Sequence, residues 1–466
     1  MDTARRKDHF CTTDTGHGSG DKTDMGAYEA NKGLIHVDKD ATGGDDGSSW
    51  ANAYTDLQDA FSQAGDDTFA DYDPAACEVW VAEGTYKTSS CSICSDGDKQ
   101  ESFELIDGVG VYGKFAGTET ARSQRGAATT SATILTGLIG TASPAQAYHV
   151  VTAGSGVTSS AVLDGFTIKK GKANGSSGDL DKGGGLLISG SPTLGQLIIK
   201  QNLAKNGGGV YLKSGNPTFT DCAFIDNDAN DGSGGGRGAG LYVASGGGGS
   251  LEFLRCNFNN NTSLDHGGGV YIAGTGAEPH FTNCLFYRND ADQEDNTTRG
   301  GAIYTNRLMV LKGCTFAKNW CGDNARGGGV YLQTGNSVLR NCILWNNEAG
   351  GTHDQEGDQL RADNSVTLTV TNSCIMEMST DWGDTNNKFD PKFDNFEMDD
   401  YDLDPENCGG QGGDTCTSSA IDAGEDDDCT GACESGGDVK KRTRKVNLDN
   451  VDNDIDMGSL ETPSGS

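Results

Sequence analysis

Two kinds of side chain recur where they could do chemistry. Bases stand directly before runs of small residues at Lys182, Arg237, His266, Arg299 and Arg326, with Asn206 the exception. Acids crowd the segments leading up to them: Asp226, Asp228, Asp231, Asp265, Asp290, Asp292, Glu294, Asp295, Asp323, Glu348, Asp354, Glu356 and Asp358. A carboxylate beside a base can work as an acid–base pair, and Asp295 with Arg299 or Asp323 with Arg326 are such neighbours. These pairs recur in segment after segment and none stands out once, so the sequence reads as a non-enzyme with no required cofactor. Oxygen-rich loops also suit weak Ca²⁺ binding, while charge alternation on a solvated face limits self-repulsion. A second acidic group, from Asp449 to Asp456, places four carboxylates within eight residues. Asp452, Asp454 and Asp456 are its candidate Ca²⁺ ligands, although the stretch lacks the Gly and the Glu that an EF-hand loop carries at positions six and twelve.

Cysteine could act as ligand, nucleophile or cross-link. Cys222, Cys256, Cys284, Cys314, Cys342 and Cys374 recur in one phase, and they read as small buried thiols filling a core. No pair among them has the short spacing of a zinc site. Cys91-Ser-Ile-Cys94 reads as a loop-closing disulfide, and Cys408, Cys416, Cys429 and Cys433 as disulfides bracing a Gly- and Asp-rich tail. The total, 15, is odd.

The elements that position these residues repeat six times between Gly183 and Asn347. Each unit carries a glycine run followed by two apolar residues, as in Gly207-Gly-Gly-Val-Tyr211, Gly267-Gly-Gly-Val-Tyr271 and Gly327-Gly-Gly-Val-Tyr331. It then carries an apolar-x-x-Asn group, usually with Cys two places earlier, as in Cys256-Asn-Phe258 to Asn261. The asparagines are Asn202, Asn227, Asn261, Asn289, Asn319 and Asn347, spaced by 25, 34, 28, 30 and 28 residues. A period near 30 means a solenoid with one coil per repeat. Apolar runs of three to five alternating residues, and 70 glycines in 466, favour short strands joined by tight corners over helices. Equivalent residues then stand above one another at about 4.8 Å. The asparagines can form an amide ladder, with Phe and Cys as inner columns.

This pattern of Phe-x-x-Asn with Gly-Gly-(Ala/Gly)-(Ile/Leu/Val) resembles the repeats of chlamydial polymorphic outer membrane proteins. The flanks are similar to large secreted bacterial and archaeal β-helix proteins with a C-terminal anchoring region. The matching stretches are Ile35–Asp40, Asp46–Tyr54, Val79–Tyr86, Val111–Gly113, Phe115–Glu119, Leu163–Ile168 and Asp456–Glu461. The resemblance implies an all-β, single-stranded right-handed parallel β-helix of the pectin-lyase-like kind, and an extracellular or cell-surface location. Enzymes on this fold cleave acidic polysaccharides, but no Asp–Asp pair or His motif of polygalacturonase type is present.

Composition narrows the partners. A net charge of −33 argues against nucleic acid and anionic membranes. No apolar run approaches the 18 or more residues of a membrane span, and Met1–Lys7 lacks a secretion signal's apolar core. For a chain resembling secreted proteins, that suggests a processed or excerpted segment.

In order, residues 1–33 form an N-terminal segment and 34–76 a strand with a short capping helix around Leu57, Ala60, Phe61 and Ala64. Residues 77–375 form the β-helix of about ten coils, and 376–466 a loop-rich C-terminal cap. Asp24-Met25-Gly26-Ala-Tyr28-Glu29 repeats the closing Asp456-Met457-Gly458-Ser-Leu-Glu461 at an offset of 432. Either the chain is one period of a tandem polypeptide, or the copy packs on a neighbouring subunit. The expected function is an extracellular structural protein whose main partner is itself, joined head to tail. The alternatives are an adhesin for glycans or a host surface and, third, a polysaccharide lyase or hydrolase.

Overall fold

The computed structural model describes residues 33–376 except 66–76, 89–97, 127–131, 140–144, 246–247, 275, 277, 292–297, 323–324, 351–355 and 364–365, together with the strands Phe393–Asn395 and Asp400–Leu403. Each regular coil contributes one short strand to each of four parallel sheets. The coil from Ser250 shows the path: Ser250–Leu254 lies in sheet 1, Asn257–Asn259 in sheet 2, Thr262–Ser263 in sheet 3 and Val270–Ile272 in sheet 4. The chain then re-enters sheet 1 at Glu278–Thr282, one rung up. Among the described residues, sheets 1 to 4 contain eleven, ten, seven and nine strands. The strand Leu34–Val37 is the first rung of sheet 1, in register with Glu78–Val81.

Register in sheet 2 aligns Phe224, Phe258, Phe286 and Phe316, fully buried and stacked at 4.3, 4.8 and 4.5 Å between ring centroids. A second stack of Phe219, Phe253 and Phe281 faces it from sheet 1. Alternation explains the burial, since successive strand side chains point to opposite faces.

Corners of two residues join sheets 1, 2 and 3, the first of each pair in the left-handed region. Asp221, Arg255, Asn283 and Asn341 take left-handed φ values of 52–56° before sheet 2, and Asp226, Asn260, Arg288, Lys318 and Asn346 values of 50–53° before sheet 3. The left-handed residue at each of these corners is polar, and Asn and Asp tolerate this conformation best among residues with a side chain.

At the N-terminal end, the helix Leu57–Ala64 is capped by Asp56, whose side chain accepts from the Gln58 amide. Its buried face is Leu57, Ala60, Phe61 and Ala64, packed on the first two rungs of sheet 1. Of the C-terminal cap expected over 376–466 only residue 376 and the antiparallel strands Phe393–Asn395 and Asp400–Leu403 are described, and of the segment 1–33 only residue 33. No helix among the described residues is long and apolar enough to cross a membrane.

Candidate functional site: ladders inside, tyrosines and cations outside

Inside the corner between sheets 2 and 3, each asparagine Nδ2 donates to the Oδ1 of the next. The distances are 3.1 Å from Asn202 to Asn227, 3.0 Å on to Asn261, then 2.9 Å to Asn289, 2.9 Å to Asn319 and 2.8 Å to Asn347. Each Nδ2 also donates to a main-chain carbonyl one coil below, as Asn289 does to Phe258 at 2.8 Å. The ladder ends on residues that the spacing did not reveal. Gly171 N donates to Asn202 Oδ1 at 3.0 Å below. Above, the fully buried Gln359 accepts from Asn347 Nδ2 at 2.9 Å and donates back to the Asn347 carbonyl.

Cys222, Cys256, Cys284, Cys314 and Cys342 form the neighbouring inner column, all buried and outside any disulfide. Cys256, Cys284 and Cys314 each donate to a carbonyl one coil below at 3.2–3.5 Å. Burial pushes the Cys256, Cys284 and Cys342 thiols well above the usual range, the opposite of what a nucleophile or ligand needs. Cys374 does not share this column. Ser373 takes the slot, accepting from the Cys342 amide at 3.1 Å, while Cys374 pairs with Ile343 in sheet 2 and packs beside Trp345. No residue is inserted: Asn372 and Ser373 follow Thr371 as Asn341 and Cys342 follow Arg340, so this cysteine stands one residue past the slot.

Among the described residues the loop acids do not fall in one unbroken column. Asp228, Asp290 and Glu348 share an outward position in sheet 3 but alternate with Thr262 and Trp320. Like charges directly opposite each other destabilise a sheet, and this alternation keeps them two coils apart. Lys318, Asn319, Trp320, Asn346 and Glu348 line an open depression of about 460 Å³ there. Asp265 and Asp358 are buried. Among the described residues no three His, Cys, Asp or Glu side chains gather closely enough to hold a metal ion. Asp292, Glu294, Asp295, Asp323, Asp354 and the tail trio Asp452, Asp454 and Asp456 lie outside the described residues, as does the Glu356 side chain.

Sheet 4 carries the arrangement richest in chemistry. Its outward column is Tyr211, Tyr242, Tyr271, Tyr304 and Tyr331, with ring centroids 5.0, 4.9, 4.9 and 5.7 Å apart. The bases before the glycines lie over this column, most of them on the ring one coil up. Lys182 Nζ is 5.7 Å from the Tyr211 ring, Arg237 5.2 Å from Tyr271, the His266 ring 4.7 Å from Tyr304, and Arg299 5.0 Å from Tyr331. Burial pushes the Tyr211, Tyr242 and Tyr304 hydroxyls up to about 12, so they remain donors at neutral pH. Tyr304 donates to Gln333 and Tyr331 to Asp363, the latter at 2.7 Å.

The cations differ in their partners. Lys182 pairs with Asp179 at 3.0 Å. Asp265 is shared, 2.6 Å from Arg237 Nε and 2.7 Å from His266 Nδ1. Its burial favours the neutral acid, but these two contacts outweigh that and hold the carboxyl below its usual range. Asp265, His266 and Arg237 thus meet across two coils, a juxtaposition hidden in the sequence because Arg237 lies 28 residues away.

The family described as "right handed beta helix region" matches residues 146–286. The chain is a right-handed parallel β-helix. No curated protein matches it. Among solved structures it is similar to pectin methylesterase PemA from Erwinia chrysanthemi, at 9% identity and a TM-score of 0.30, over 70% of this chain and 92% of that one. A rhamnogalacturonan lyase is similar at 11% identity and a TM-score of 0.37, over 77% and 90% of the two chains. ORF18 of Geobacillus virus E2 follows at 16% and 0.29, over 64% and 53%.

Proposed function

We propose that this β-helix is a structural protein of an extracellular surface, a stiff rod that joins copies of itself head to tail. The observation that carries the reading is the asparagine ladder, continuous from Gly171 to Gln359 and fully buried through its asparagines. Such a column ties each coil to the next through side-chain and main-chain bonds alike, which suits an axial load. The joint is assigned to Asp24, Met25, Gly26 and Tyr28 of one copy against the Asp456, Met457 and Gly458 region of the next. The duplicated motif supports this, and the resemblance to polymorphic outer membrane protein repeats supports a surface location. Disulfides among the tail cysteines would brace the joint, and Ca²⁺ at Asp452, Asp454 and Asp456 would rigidify it.

Electron microscopy of the full chain beside one lacking residues 1–33 tests the reading. Filaments that vanish on truncation are expected; monodisperse rods from both overturn the polymer. A second reading, an adhesin for glycans, draws support from exposed arginines at one end of the tyrosine column. Release of unsaturated or reducing ends from acidic polysaccharides would instead mark a lyase or hydrolase.

A further inference from the structure

The tyrosine column of sheet 4 ends on a carboxylate. Its top ring is Tyr331, and Arg361 takes the register position above it. The phenols on the way up have different partners. Tyr271 Oη accepts from Arg237 at 3.5 Å, Tyr304 donates to the amide oxygen of Gln333, and Tyr331 donates to Asp363 Oδ1 at 2.7 Å. Main-chain bonds hold Asp363 in place: its amide donates to the Leu332 carbonyl and its carbonyl accepts from Val366, both at 2.9 Å. A phenol bonded to a carboxylate has a base ready for its proton, which an amide oxygen or a guanidinium is not.

Stacking links this pair to the rings below. Tyr271, Tyr304 and Tyr331 lie within 3° of parallel at successive centroid separations of 4.9 and 5.7 Å, and Tyr211 and Tyr242 continue the stack downward at 5.0 and 4.9 Å. With π-faces this close, an electron lost from one ring can be replaced from the next. Tyr242 is half-buried, whereas Tyr331 is only 1% exposed. An oxidant in solution therefore reaches the column at Tyr242, and a radical on Tyr331 is kept from coupling with a second phenol.

A phenol that loses an electron but keeps its proton becomes a strongly acidic cation radical. The Arg299 guanidinium, 5.0 Å from the Tyr331 ring, makes that species costlier still, because like charges repel strongly where the dielectric is low. Burial, and after it the Asp363 carboxylate, push the Tyr331 hydroxyl up, so the resting pair is phenol and carboxylate. Electron and proton must leave Tyr331 together, and Asp363 Oδ1 is positioned to take the proton.

We propose that Tyr331 and Asp363 form a one-electron redox site, a sink for oxidising equivalents that enter the tyrosine column from a diffusible radical oxidant. The step balances at two atoms. The oxidant gains one electron, the Tyr331 O–H bond breaks, an O–H bond forms on Asp363 Oδ1, and a neutral phenoxyl radical is left beside a neutral acid. A reductant such as ascorbate returns the electron, and Asp363 returns the proton. This activity goes beyond the structural role and does not depend on filament formation.

The test is oxidation of the full chain by photogenerated ruthenium(III) tris-bipyridine, with persulfate as electron acceptor, followed by freeze-quench electron paramagnetic resonance. Wild type is expected to show a neutral tyrosyl signal that outlasts those of exposed tyrosines, forms more slowly in D₂O and disappears on adding ascorbate. Tyr331→Phe, which keeps the ring, should remove the lasting signal. Asp363→Asn keeps an acceptor but not a base, and should slow its formation about a hundredfold, the lower end of what a positioned base contributes. Asp363→Glu should restore most of it, and Tyr287→Phe, on sheet 2, should leave it unchanged. Unchanged melting temperatures would show that the variants remain folded. No lasting signal in wild type, equal signal in Tyr331→Phe, or equal rates in Asp363→Asn overturns the site. Tyr271→Phe with Tyr304→Phe should lower the yield, and an equal yield overturns the relay through the column.

Discussion

At the scale of residues, the asparagine ladder concentrates the molecule's buried polar chemistry. Asn289 Oδ1 accepts from both the main chain and the side chain of Asn261, and its Nδ2 donates to Phe258 and Asn319. Replacing it with alanine strands donors and acceptors on three coils in a site that water cannot reach. Leaving a buried polar group unpaired costs about 1–3 kcal/mol, so Asn289→Ala should lose about 3 kcal/mol or more in urea unfolding. A loss below about 1 kcal/mol would show that the neighbours find new partners. Ser373 makes the same point in reverse. It occupies a thiol slot and donates to the Thr371 carbonyl as a column cysteine donates two residues back, so the slot selects a small donor and not sulfur itself.

At the scale of elements, the glycine run before sheet 4 is a close approach between coils. A Cβ on Gly268 would stand 2.4 Å from the Asp290 carbonyl oxygen and 2.5 Å from its carbonyl carbon and amide nitrogen, all main-chain atoms that cannot swing away. Gly357, on the outside of the same path, has open space. Gly268→Ala is therefore expected to abolish folding or cost several kcal/mol, as overpacking and backbone displacement do, whereas Gly357→Ala should be tolerated. Circular dichroism melts of the two variants would separate them, and equal melts would mean that sheets 3 and 4 can slide apart at this corner.

For the whole molecule, charge sets the terms. The chain carries 68 acids against 35 bases, and on the described coils carboxylates of neighbouring rungs repel each other. Alternation of carboxylates with Thr262 and Trp320 in sheet 3, and pairing of Asp179 and Asp265 with bases, limit that repulsion without removing it. The Debye length falls from about 30 Å at 0.01 M salt to about 8 Å at 0.15 M. The melting temperature should therefore rise over that range of sodium chloride. A flat response would mean that local pairing already neutralises each coil.

The sequence alone determined the coil. A polar corner, a cysteine, a phenylalanine and an asparagine repeating every 30 residues or so have one low-energy arrangement, in which like stands on like and every buried amide finds its copy. Tertiary structure decided what happens between copies. Loop lengths vary from coil to coil, so spacing could not show that Arg237 and His266 share Asp265, that Cys374 falls one residue out of phase, or that Gln359 closes the amide ladder. Nor could it show that the bases lie over tyrosines of the next coil. Those facts depend on register across the stack, where residues far apart in the chain become neighbours, and only main-chain hydrogen bonding between coils fixes that register.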